Sequence, residues 1–168
     1  MTYERFEDLP VWQAAMNFAV SGFELLDDRS FNGCGDARNQ LQRSSLSISN
    51  NIAEGFERGS TSELLMLLYI ARGSAGEARS ILHFLSRLPR CAHLKSQMSN
   101  LLLQATSISR QLRGWANSLQ NSDIAGQRHL NDATRAEYDR AHRAEAFVQK
   151  LKNIRDRSRT DGHSSSEI

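Results

Sequence analysis

The sequence predicts an all-α protein: an up-down-up-down antiparallel four-helix bundle, followed by a C-terminal helical extension. Three observations lead to this prediction. The 168 residues include only two prolines and few β-branched side chains, a composition that does not favour sheets. Apolar residues recur at the three- and four-residue spacing of amphipathic helices in four successive stretches. The connections between these stretches are short, which favours antiparallel neighbours.

The first helix is predicted to begin at Leu9 or Pro10, because proline is well tolerated in the first turn, and to end near Asp28. It carries two apolar stripes and is therefore expected to have two packing partners. The main stripe consists of Trp12, Met16, Ala19, Phe23 and Leu26, and the second of Val11, Phe18 and Leu25. Residues 29–35 then carry turn chemistry, which connects the first helix to the second.

The second helix is predicted to end near Arg58, where Gly59 supplies a left-handed cap. Its core stripe consists of Leu41, Ser45, Ile48, Ile52 and Phe56. The opposite stripe is polar and consists of Gln40, Arg43, Ser47, Asn50, Glu54 and Arg58. Residues 60–63 read Ser-Thr-Ser-Glu, a pattern that caps the start of a helix, so a third helix is predicted to begin here.

The third helix is predicted to run to about Leu88, just before the helix-breaking Pro89. Its main stripe consists of Leu64, Leu67, Leu68, Ala71, Ala75, Ala78, Leu82 and Leu85, and its second face of Met66, Tyr69, Gly73, Ser80 and Phe84. We expect the second faces of the first and third helices to be buried between subunits. Gly73 and Gly76 each cost about 1 kcal/mol relative to alanine in a helix, so close backbone packing is their expected role.

The fourth helix is predicted from about Cys91 to Leu119. Its stripe consists of Leu94, Met98, Leu101, Ala105, Ile108, Leu112, Trp115 and Leu119. Beyond it the composition changes, so we predict two parts: a bundle over residues 1–121, and a charged helical extension with a disordered tail over residues 122–168. Within the second part, a helix is predicted over residues 132–157 and disorder from residue 158 onwards.

The stretch from residue 40 to residue 77 resembles the signature of a bacterial four-helix-bundle family, the 23S ribosomal RNA intervening-sequence proteins. The matching positions are Gln40, Arg43, Ser47, Ile48, Asn51, Ile52, Ala53, Glu54, Gly55 and Arg58, followed by residues 69–74 and Glu77. The resemblance covers about residues 5–119 and implies a homo-oligomer, a ring of five subunits. A similar five-membered bundle is the accessory variability protein of diversity-generating retroelements, which binds a reverse transcriptase and nucleic acid. The resemblance therefore also implies those partners.

The distribution of basic residues favours RNA or DNA as a ligand, although a formal net charge of +2 is too small to indicate this alone. Residues 91–121 contain three basic residues and no acid. Repeated around a ring, a few basic residues per subunit make a positive patch that holds phosphates without reading bases. The candidate phosphate contacts are Arg72, Arg79, Lys95, Arg110 and Arg113. The competing interpretation is that these are ordinary solvated side chains. The aromatic residues are expected in the core, which leaves no platform for base stacking.

The leading hypothesis is a non-enzymatic homo-oligomeric scaffold that binds RNA or DNA and docks a reverse transcriptase or another nucleic-acid enzyme. The candidate residues for subunit packing are Asn51, Glu54, Arg58, Tyr69 and Gly73. The alternative is a protein–protein interaction module without a nucleic-acid role, in which residues 132–157 recruit a partner helix. Salt separates the two hypotheses, because phosphate binding weakens steeply as salt rises.

The sequence offers no pattern for catalysis, a cofactor or a metal. Its five histidines are His83, His93, His129, His142 and His163, without the spacing of a helical metal site. A phosphate-binding loop and a nucleophile elbow are also missing from the sequence. Cys34 and Cys91 lie far apart without metal-type spacing, which favours a reduced, cytoplasmic setting. Since no apolar run approaches the length of a membrane span, we expect a soluble protein.

Overall fold

The computed structural model describes residues 3–121, together with Arg140, Arg143 and Lys150. Four α-helices lie within residues 3–121: α1 (Pro10–Leu25), α2 (Gly35–Glu57), α3 (Thr61–Leu85) and α4 (Lys95–Gln120). Short 3-10 helices at Phe6–Asp8, Arg29–Phe31 and Pro89–Leu94 precede α1 or lie in the connections. The chain divides into two units, residues 1–128 and 129–168, and only the first is described below. Apart from the three single residues, the predicted extension and tail lie outside the described residues, so the domain division stays a prediction.

The four helices pack as a bundle in which neighbours in sequence are neighbours in space. The α2 helix packs most extensively against α3, α3 packs against α4, and α1 packs against both α2 and α4. The connections at residues 26–34, 58–60 and 86–94 are short, which makes consecutive helices antiparallel. The predicted all-α four-helix bundle is confirmed.

The core lies between the predicted stripes of α2, α3 and α4. All eight residues of the predicted α3 stripe are buried. In α2, the stripe is buried from Leu41 to Ile52, while Phe56 is partly buried against the core. In the α4 stripe, only Trp115 and Leu119, near its end, are partly buried. The spacing of apolar residues therefore predicted the core-facing sides of α2, α3 and α4 correctly.

The predicted order of the two stripes on α1 is wrong. Trp12, Met16 and Phe23 from the predicted main stripe are only partly buried. The buried side of α1 consists of Val11, Ala15, Phe18, Ala19, Gly22 and Leu25. Small residues on this side allow α1 to approach α2 closely, and a Cβ atom at Gly22 would lie 3.4 Å from Ser45 Oγ. The bulkier side chains of the other stripe are therefore left at the edge of the bundle.

The helix ends confirm one predicted cap and correct another. Ser60 Oγ accepts a hydrogen bond from the Glu63 N–H group at 3.4 Å and donates to Glu63 Oε2 at 2.6 Å, as the capping pattern predicted. The α2 helix, however, ends in an extended Arg58 (φ −72°, ψ 148°). The left-handed cap predicted at Gly59 is wrong, because the chain leaves the helix at Arg58 to reach α3 directly. The third connection is also longer than predicted, since Pro89–Leu94 forms a 3-10 helix before α4.

The helical glycines fall into two kinds of environment. A Cβ atom at Gly55 would lie 3.0 Å from Leu64 Cδ1 and 3.1 Å from Leu67 Cβ, so α2 and α3 approach closely there. Gly73 and Gly76 are exposed, and a Cβ atom at either would meet nothing within 4 Å. The close packing predicted for Gly73 and Gly76 does not occur within this chain.

Candidate nucleic-acid interface

A row of polar side chains runs along the surface where α2 meets α3. Asn51 Nδ2 donates to Ser47 Oγ at 2.9 Å, and Ser47 Oγ lies 2.9 Å from Ser74 Oγ. Ser74 Oγ donates its only proton to the Ile70 carbonyl oxygen at 3.1 Å, so the proton between the two serines must come from Ser47. The hydrogen bonds thus form a directional chain from α2 to α3, in which each hydroxyl both donates and accepts.

Ion pairs continue this row towards the connection between α2 and α3. Arg58 donates to Glu54 through Nε at 3.1 Å and to Glu63 through Nη1 at 3.0 Å. Hydrogen bonds from Ser60 and then Arg58 lower the pKa of Glu63. These side chains are 40–50 % exposed, so solvent and salt screen the pairs and each contributes little to stability. Glu54 and Arg58, which the sequence assigned to subunit packing, are therefore already paired with each other.

The opposite end of the row opens into a cleft of about 430 Å³. Its lining residues are Gln40, Arg43, Ser44, Ser47, Ser74 and Glu77. We call the whole row the α2–α3 seam, which consists of these six residues together with Asn51, Glu54, Arg58 and Glu63. Most of the α2 members of the seam belong to the polar stripe that the sequence predicted. Periodicity alone could not show that Ser74 and Glu77, on the next helix, would lie opposite them.

The five predicted phosphate contacts lie on α3 and α4, and we call them the basic face. Arg72 and Arg79 are half-buried, and a helical projection places them about 140–160° away from Ser74, on the edge of α3 that faces α4. Lys95, Arg110 and Arg113 are exposed on α4. Lys95 and Arg113 point in the same direction but lie about 27 Å apart along the helix axis. Within the described part of the chain, none of the five is ion-paired. The basic face is therefore spread along two adjacent helices.

A groove runs along the last turns of α3 and has a volume of about 630 Å³. Its lining residues are Gly76, Arg79, Ser80, His83, Phe84 and Arg87, and we call it the α3 groove. Within the described chain, Arg79 Nε is buried without a hydrogen-bond partner. Phe84 is 54 % exposed and Tyr69 is 42 % exposed, so the prediction that the aromatic residues lie in the core is wrong for both.

The outer face of α3 is apolar and faces away from the bundle. It consists of Met66, Tyr69, Ile70 and Gly73, and its three large side chains are between 42 and 52 % exposed. The sequence predicted Met66, Tyr69 and Gly73 on this second face, together with Ser80 and Phe84, but did not predict Ile70 there. A single chain leaves the outer face uncovered. Of the candidate packing residues, Tyr69 and Gly73 are therefore free to meet another molecule, whereas Asn51 is engaged in the α2–α3 seam.

The first and third connections meet at one end of the bundle. Asp28 Oδ2 lies 3.2 Å from His93 Nε2, and Asp28 Oδ1 accepts a hydrogen bond from the Ser30 N–H group at 2.8 Å. Hydrogen bonds from Ser30, and then from His93, lower the pKa of Asp28 to about 2. The described residues contain no group of acids, histidines and cysteines that could hold a metal ion. None of the described helices is both long enough and apolar enough to cross a membrane.

Comparison with known proteins identifies the family. The sequence model of the 23S rRNA-intervening sequence proteins matches residues 7–114, from before α1 into α4. The chain belongs to this family. A crystal structure from Bacteroides thetaiotaomicron, described as a protein with unknown function from the S23 ribosomal protein family, is similar to this family member with a TM-score of 0.55. The two sequences are 24% identical, and the match covers 63% of this chain and 97% of the other, which shows a shared fold. No curated protein matches the chain.

Proposed function

We propose that this protein is a non-enzymatic, homo-oligomeric scaffold, a ring of five subunits, that binds RNA or DNA through its basic face. The observation that carries the proposal is the set of basic residues on α3 and α4 without an acidic partner in the described chain. Cations that are not neutralised internally are available for phosphates. The family description, which refers to an intervening sequence in ribosomal RNA, supports an RNA ligand.

The outer face of α3 supports the oligomeric part of the proposal. Met66 and Ile70 are 52 % and 45 % exposed, and burying a large apolar side chain fully gains about 1.5–3 kcal/mol. Gly73 follows Met66 and Ile70 along α3. It has no Cβ atom, so a helix of a neighbouring subunit can approach closely there. A ring repeats the basic face several times, which increases its combined attraction for a polyanion.

A reverse transcriptase is a further proposed partner, and this part of the proposal depends only on the resemblance to the accessory variability protein. The same apolar outer face also favours the alternative function, a protein–protein interaction module without a nucleic-acid role. Salt dependence distinguishes the two, because apolar docking does not release counterions.

The test is light scattering combined with an RNA-binding measurement at low and moderate salt. We expect a mass of several subunits, and RNA binding that weakens by about tenfold or more between 50 and 200 mM salt. Arg110→Glu and Arg113→Glu should each weaken binding. Arg29→Glu, which changes the net charge equally in the first connection, should have little effect. A monomer that ignores RNA at both salt concentrations would overturn the proposal, whereas salt-insensitive binding of a protein would favour the alternative.

A further inference from the structure

The α3 groove has an unusual combination of charges. Arg79, His83 and Arg87 follow one another at four-residue intervals, and the groove lining contains no acid. The C-terminal end of a helix carries about half a negative charge, which the two arginines outweigh. The groove lining therefore carries a net positive charge.

The second feature of the groove is the guanidinium group of Arg79. Its Nε–H group is buried, and the described residues offer it no acceptor. A buried donor without an acceptor is destabilising, and an oxygen atom from a ligand would remove that cost. Phosphate oxygens suit a guanidinium group particularly well, because they accept two parallel hydrogen bonds.

Phe84 adds a flat apolar surface to the same groove lining as Arg79, His83 and Arg87. Its side chain is 54 % exposed, although it lies in the last turn of α3 among the residues of the groove. Gly76 and Ser80 are the small residues of the lining, and a Cβ atom at Gly76 would meet nothing within 4 Å. The exposed part of the Phe84 ring is therefore accessible to a planar group.

An aromatic ring beside a row of cations is the arrangement with which proteins hold unpaired nucleotides. We infer that the α3 groove binds a single-stranded segment of nucleic acid, with Phe84 stacked on one base and Arg79, His83 and Arg87 holding the adjacent phosphates. This inference depends on the proposed function and narrows its ligand to unpaired nucleotides. A duplex cannot occupy the groove in this way, because its base faces are already stacked on each other.

Burial of Phe84 between subunits is the competing explanation, and the charges argue against it. Interface cores are depleted in charged residues, whereas Phe84 shares its groove with three basic side chains. Tyr69 and Gly73 lie about 16–22 Å from Phe84 along the axis of α3, so the outer face can still meet a neighbouring subunit while the groove stays open.

The test compares a labelled, unstructured RNA 12-mer with the same sequence as a duplex, by fluorescence anisotropy on the full chain. Phe84→Leu removes the ring and keeps an apolar side chain. We expect it to weaken single-strand binding by roughly tenfold, with little change in duplex binding. Phe84→Trp should preserve the single-strand preference. Tyr3→Leu, the control at an exposed aromatic residue outside the α3 groove and the outer face, should leave it unchanged.

Three outcomes would overturn the inference. If single strands and duplex bind equally and Phe84→Leu changes neither, no base stacks on the ring. Loss of binding in Arg113→Glu would then still support the proposed function. If Phe84→Leu alters the oligomeric mass but not the preference for single strands, the ring belongs to a subunit contact. If the protein binds no nucleic acid at low salt, the inference and the proposed function both fail.

Discussion

The two sides of α3 differ in whether their polar side chains have partners within the described chain. Towards α2, Ser47, Asn51, Ser74 and the Glu54–Arg58–Glu63 group form hydrogen bonds and ion pairs with one another. On the α4 side, the five residues of the basic face, two on α3 and three on α4, have no acidic partner in the described chain. Among the described residues, Arg79 Nε also has no hydrogen-bond acceptor. The difference indicates that the α2–α3 seam stabilises the fold, whereas the basic face is available for a ligand. The residues that resemble the family signature include members of the seam, but also Arg72 on the basic face and Gly73 on the outer face.

The largest effect is expected at Gly55, where α2 and α3 approach each other closely. Gly55→Val would place a branched side chain against Leu64 and Leu67, and such overpacking costs about 1–3 kcal/mol. Urea unfolding measures the free-energy change. Gly114→Val, at an exposed helical glycine with nothing within 4 Å, is the matched control and should change stability by less than about 0.5 kcal/mol. Equal effects at the two sites would contradict the close approach of α2 and α3.

The hydrogen-bond chain of the seam should give the next largest effect. Ser74→Ala removes the acceptor of the Ser47 hydroxyl group and should lower the free energy of unfolding by about 1 kcal/mol. Ser80→Ala, at an exposed serine on the same helix, controls for the change in helix propensity. The double variant Ser47→Ala/Ser74→Ala should lower the free energy of unfolding by less than the sum of the two single variants. Strict additivity would show that the two hydroxyls are not coupled.

Substitution of an exposed helical glycine should stabilise the protein, whereas substitution of Gly55 should destabilise it. Gly73→Ala and Gly114→Ala should each stabilise their helix by up to about 1 kcal/mol, since an added Cβ meets nothing within 4 Å. Only Gly73→Ala should also reduce the oligomeric mass measured by light scattering, because Gly73 lies on the outer face. An unchanged mass would show that no neighbouring helix packs closely against Gly73.

The smallest effect is expected at the exposed contact between the first and third connections. Because the pKa of Asp28 is lowered from 3.8 to about 2, its stabilising contribution is complete above about pH 5 and is lost as the pH falls through about 2. Ser30→Ala should raise this pKa more than His93→Ala does. An NMR titration of the Asp28 carboxyl carbon measures the pKa in each variant. A larger rise in His93→Ala than in Ser30→Ala would mean that His93 is the stronger partner.

Periodicity predicted the bundle because α2, α3 and α4 each have one dominant apolar stripe. It failed on α1 because both stripes are apolar, and only the small side chains facing α2 decide between them. The seam could not be predicted, since Ser47 and Ser74 lie 27 residues apart and meet only after the helices pack. The exposure of Phe84 had a usable signal, because the projection had already placed it away from the core stripe.

The short connection at residues 58–60 has a consequence for the order in which the bundle forms. Closing a short loop costs less chain entropy than closing a longer one, and this connection is the shortest of the three within residues 3–121. It also joins the two helices that share the most extensive packing. The α2–α3 hairpin is therefore expected to form early during folding and to provide the surface onto which α1 and α4 dock. The signature of the family would then mark the folding nucleus of the bundle.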